Sequence, residues 1–131
     1  MVTLDDARRV IQAAEKKAIE IGQPMSIAVA DQGGHVVAHV RMDGAPFATN
    51  DLAINKAFTS SAVHMSTKEL ATHARPDGQF FGVHTSHQGR IVIFAGGIPL
   101  KRDGTVVGAI GASGGSNDQD QIVAEAGADA W

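Results

Sequence analysis

Histidine is the side chain whose charge changes most readily near neutral pH, and two of the six in this chain, His84 and His87, stand close together in a polar stretch with Thr85, Ser86, Gln88 and Gly89. At that spacing two imidazoles can converge on a ligand or a metal ion. Two nitrogens fall short of the four ligands of a structural zinc site, whereas haem iron needs only one or two axial groups and an apolar slot, so haem stays open as a cofactor. The plainer alternative for the pair is a polar connection between strands. His35 and His39 lie roughly 13 Å apart along an extended strand and cannot share one metal. Arg41, on the same strand face, could orient a carboxylate, with a solvated sheet face as the alternative. His64 and His73 read as surface residues.

Two further features carry candidate chemistry. The run Gly108-Ala109-Ile110-Gly111-Ala112-Ser113-Gly114-Gly115-Ser116 leaves a strand and enters a helix, so the amides of Ser113, Gly114 and Gly115 could meet an anionic ligand at a helix N-terminus. Its spacing matches neither a dinucleotide fingerprint nor a phosphate-binding loop. The competing reading is close packing of helix on sheet, with Asp118 and Asp120 balancing the helix dipole. Lys56 sits among the small residues Ala53, Ala57 and Ser60 and could reach a pocket or a neighbouring subunit, although a helical lysine is ordinarily solvated. No nucleophile elbow and no ordered Ser-His-Asp set is present.

The elements that must position these groups follow from spacing and punctuation. Thr3 caps a helix whose apolar residues recur at three- and four-residue steps to Ile21, stopped by Gly22 and Pro24. Ser26 to Ala30 and His35 to Arg41 form a hairpin across Asp31-Gln32-Gly33-Gly34, with Val36, Ala38 and Val40 on the packed face. A second helix runs from Asn50 to about His64, and the capping box at Ser66 opens a short third. Phe80 to about Thr85, Arg90 to Ala95, Ile98 to Lys101 and Thr105 to Ala112 read as strands, with Asp103-Gly104 as a hairpin turn. Ser116 begins the last helix.

This order predicts an α+β domain with one antiparallel sheet flanked by helices. A chain of 131 residues without a shift in composition reads as a single domain, 1–131. The net charge of −3 and the absence of a basic cluster exclude nucleic acid as a partner. No apolar run reaches membrane-spanning length, and without a secretory pattern or any cysteine the chain is expected in the cytoplasm. Fifteen glycines, abundant alanine and few aromatics point to packing by small residues, completed by burial between subunits.

Three segments together, LDDARRVIQAAEKKAIEIG, SIAVADQGGHVVAHVRMDGAPFAT and IVIFAGGIPLKRDGTVVGAIGASGGSNDQDQIVAEAG, resemble the GlcG/HbpS family, whose domain also occurs at the C-terminus of some cobalamin adenosyltransferases. The resemblance spans nearly the whole chain. It implies a profilin-like fold with a sheet of about five strands, self-assembly from dimers to octamers, and for some members haem bound through histidine. Two functions are then expected. In the first, an oligomer associated with a catabolic pathway binds haem or another small, anionic ligand; His84 or His87 donates to the iron and Arg41 or Lys56 meets a propionate. In the second, a cofactor-independent catabolic enzyme acts on a small unsaturated or halogenated carboxylic acid by hydrolysis, hydration or tautomerisation. There His84 or His87 is the general base, Arg41 anchors the carboxylate, and the Ser113, Gly114 and Gly115 amides hold an oxyanion.

Overall fold

A computed structural model describes all 131 residues. Helix α1 spans Leu4–Glu20. The Thr3 hydroxyl accepts from the Asp6 amide and the Asp6 carboxylate accepts from the Thr3 amide, both at 3.0 Å. The Thr3 backbone bond, followed by the Thr3 hydroxyl and Arg9, holds the Asp6 carboxyl at about 2. At the other end Gly22 is left-handed, the Gln23 amide donates to the Ala18 carbonyl at 3.0 Å and the Gly22 amide to the Ile19 carbonyl at 3.1 Å, so the last carbonyls find partners.

Strands β1 (Ser26–Asp31), β2 (Val36–Arg41), β3 (Gly97–Arg102) and β4 (Thr105–Ser113) form one antiparallel sheet in the order β2-β1-β4-β3. Side chains alternate between its faces, and each face has its own chemistry. Ile27 and Val29 of β1, with Ile110 and Ala112 of β4, pack against α1 and against α4 (Asn117–Asp129) in the main core. Ala28 and Ala30 turn the other way, onto Ala53 and Ala57 of α2 (Ala48–Val63). Small residues on both sides let α2 lie close to the sheet. A methyl group on Gly111 would collide with the Ala53 carbonyl and come within 2.6 Å of the Ala57 amide nitrogen. Two buried hydroxyls fix the run of α2 along β1: Ser26 and Thr49 hydrogen-bond at 2.8 Å at one end, and Ser61 donates to the Asp31 carbonyl at 3.0 Å at the other.

Two expectations about the sheet change. On β2 a bulge beside Ala38 breaks the alternation: Val36 is exposed, while Val37 joins Ala38 and Val40 against the core. The sheet has four strands, because the runs Phe80–Thr85 and Arg90–Ala95 are not extended ladders. Residues 83–85 and 87–89 form tight 3-10 turns after a left-handed Gly82. The apolar run after Arg90 docks on α2, with the Val92 amide donating to the Thr59 hydroxyl at 2.9 Å and Ile91 and Val92 buried. A short apolar run has the same appearance in sequence whether it pairs with a strand or lies on a helix. The short helix α3, Thr67–His73, begins at Ser66 as its cap predicts.

Candidate ligand-binding site

The glycine-rich junction after β4 is turned inward. The Gly114 and Gly115 amides donate to Asp120 Oδ1 at 3.1 and 2.8 Å, while Asp120 Oδ2 accepts from Lys56 Nζ at 2.8 Å. Lys56 Nζ also donates to the Ala112 carbonyl at 2.9 Å and lies 4.9 Å from the centre of the Phe94 ring. Lys56 is completely buried. That burial lowers the pKa of its ammonium group, against the upward pull of Asp120. The expected ligand contacts from Lys56 and from the Gly114 and Gly115 amides are therefore corrected: each is committed to joining α2, β4 and α4. Ser113 is buried in the β4 ladder opposite Ser26. Asp120 is the partner missed by the sequence reading, in which it only balances the dipole.

Arg41 stands exposed at the end of β2, also paired with Ser26. His39, two residues before it, is half-buried with no partner for Nε2. Desolvation, reinforced by the nearby Arg41 charge, lowers the His39 pKa below its ordinary value.

His84 and His87 occupy the two successive turns at the opposite end of the hairpin. There Phe58 of α2 packs so closely on Gly34 that a methyl group at Gly34 would come within 2.7 Å of its ring. The His87 ring meets Phe58 edge-on at 5.8 Å, and the Arg90 guanidinium lies over the same ring at 3.8 Å from its centre. Arg90 Nε donates to Asn55 Oδ1 at 3.1 Å. His84 packs instead on Phe81, ring centres 6.0 Å apart, and its buried Nδ1 has no partner. The two imidazoles thus face different aromatic rings rather than one shared point, and no group of three ligating side chains surrounds either of them.

His87, Gln88 and Gly89 are all left-handed, at φ 52°, 60° and 78°. Two consecutive non-glycine residues in that region cost on the order of 1–3 kcal/mol each. The conformation leaves the His87 ring exposed, with Nδ1 3.2 Å from the Ser86 hydroxyl and Nε2 without a partner. Arg41 lies seven residues along the hairpin from Gly34, roughly 20 Å at strand rise, so Arg41 and His87 do not hold one small substrate between them. The general base, carboxylate anchor and oxyanion donors of the catalytic reading are consequently dispersed, with the donors already occupied. Arg90, which the sequence reading placed only as the start of a strand, is the cation that shares the Phe58 ring with His87.

The comparisons with known proteins agree with this architecture over its full length. The family described as "Haem degrading protein HbpS-like" matches residues 2–129. A Citrobacter freundii protein known as an uncharacterized 15.0 kDa protein in the dhaT-dhaS intergenic region is 38% identical over 130 residues, covering 99% of this chain and 92% of its own. The Klebsiella pneumoniae protein ORFY superposes with a TM-score of 0.95 at 36% identity, over 98% of this chain and 89% of its own. A structure of a PduOC:heme complex superposes with a TM-score of 0.93 at 32% identity, over 97% and 92%. This chain belongs to the HbpS-like family.

Proposed function

We propose that this protein binds haem, with His87 as the protein ligand to iron. The observation that carries the reading is the state of that imidazole. It is exposed, its Nδ1 is oriented by the Ser86 hydroxyl, its Nε2 is unengaged, and a left-handed backbone holds its ring against Phe58. Histidines that coordinate metals normally have the second ring nitrogen held in this way. His84 lacks such a partner and is half-buried, which leaves it to shape the loop. Support comes also from the relatives, since PduOC is described with haem and the family description concerns haem.

The donor set and its surroundings suit the group. Phe80 and Phe81 expose 44% and 59% of their surface just before the histidine turns, enough apolar area to face a porphyrin plane. None of the three clefts of the single chain is lined by His84 or His87, so we place the second wall of the slot on another copy of the chain. Bound haem would supply a redox-active iron with a coordination position for small ligands. The chain's own contribution would be to hold the group through the His87 imidazole and to keep water from it with Phe80 and Phe81. Titration of the purified protein with haemin tests the assignment: a shifted Soret band in wild type and in His84→Ala, lost in His87→Ala, is expected. An unshifted wild-type spectrum, or an unchanged one in His87→Ala, overturns it.

A further inference from the structure

We infer that Arg90 is a carboxylate clamp, preassembled by Asn55, Phe58 and the glycine turn of the first hairpin. The guanidinium is planar and offers two edges to an acceptor, one through Nε and one through the pair of Nη groups. The Nε edge is taken by Asn55 Oδ1, at 3.1 Å. The Nη groups have no acceptor within the chain, and no carboxylate lies within 4.0 Å of the side chain. What remains is the end-on fork, whose two parallel N–H donors match the two oxygens of one carboxylate.

The fork is held in place rather than left to swing in solvent. Stacking at 3.8 Å on Phe58 fixes the plane of the guanidinium, and Asn55 fixes its rotation within that plane. Both supports sit on α2, three residues apart, so they share one rigid face. Gly34 makes room for the ring beneath, since a side chain there would displace Phe58. An arginine needed only for solubility would have no use for such immobilisation, which costs side-chain entropy. Arg90 is also only half-buried, so an incoming group can reach it.

The ligand class is an organic carboxylate with an apolar or aromatic body, because the guanidinium lies on the Phe58 ring, which the His87 ring also meets. A haem propionate and a free small carboxylic acid share that chemistry. The first source rests on the haem reading above; the second does not.

The test therefore uses haemin, haemin dimethyl ester, benzoate, benzamide and inorganic phosphate against wild type, Arg90→Gln and Arg90→Lys. Loss of a charge-assisted, two-point contact should weaken haemin binding by about 10- to 100-fold in both variants, since lysine keeps the charge but not the fork. The dimethyl ester, which has no carboxylate, should bind all three proteins equally. Should wild type take up neither haemin nor its ester, the haem reading fails and the small acids decide: benzoate binding that benzamide does not share, lost in both variants, sustains the clamp. Unchanged haemin or benzoate affinity in Arg90→Gln, no binding of any of the carboxylates to wild type, or binding of phosphate in preference to benzoate overturns it.

Discussion

Lys56 and Asp120 illustrate how a buried charge is retained only with a full set of partners. The carboxylate accepts from Lys56, Gly114 and Gly115, and the ammonium group donates to Asp120 and the Ala112 carbonyl. Removing one member strands the other away from water, which costs about 3–5 kcal/mol in such pairs. Lys56→Met should therefore lose stability of that order in urea unfolding, although the replacement is apolar and of similar length. A loss below about 1 kcal/mol would show that the pair is not closed as described.

His39 makes a second prediction at the same scale. Its folded pKa lies below the ordinary 6.5, so between those two values the unfolded chain binds the proton more readily than the folded one. The associated stability is fully present above pH 6.5 and is lost as the pH falls through that window to the folded value. Urea midpoints compared between about pH 7.5 and 5.5 should fall less steeply in His39→Gln than in wild type. Equal slopes would contradict the burial of Nε2.

At the scale of elements, the decisive contact is the approach of α2 to the sheet. Alanines and glycine line it on both sides, and the backbone of α2 touches the position where Gly111 would carry a side chain. Gly111→Ala forces helix from strand, because the obstructing atoms are main-chain and cannot rotate away; overpacking of this kind costs about 1–3 kcal/mol or more. Gly104 gives the contrast. It is also conformationally special, at φ 79°, but nothing lies within 4 Å of its missing side chain. Gly104→Ala should cost only about 1 kcal/mol from backbone strain, so thermal unfolding of the two variants separates close packing from conformation alone.

Elements also differ in how openly the sequence announces them. The apolar spacing and capping residues of α1, the Asp103-Gly104 turn and the cap at Ser116 each act within a few residues, and each stands where the spacing predicts. The two runs between Phe80 and Ala95 do not: the first closes into tight turns, and the second has Thr59 of α2 as its partner and not a neighbouring strand. Local propensity carries no record of which surface a short apolar run will cover.

For the whole molecule, the overall architecture of helices on an antiparallel sheet was legible, since hairpin turns and helix caps constrain topology strongly. The candidate site was legible only as a loop. His84 and His87 are three residues apart in sequence, but their division between Phe81 and Phe58 depends on backbone geometry. Arg90 gains its role from Asn55 and Phe58, which lie more than thirty residues earlier, and Lys56 loses its expected role to Asp120, sixty-four residues later. Long-range pairings of this sort leave no spacing signal in a single sequence.

The central claim, that His87 supplies the iron ligand, has a direct test in the His87→Gly variant. Glycine accepts the left-handed backbone at φ 52° without strain, so the substitution removes the imidazole while favouring the same turn. With haemin, the variant should lose the histidine-ligated Soret spectrum of wild type and regain it when free imidazole is added to fill the vacated coordination position. A variant that keeps the wild-type spectrum without imidazole would contradict the assignment.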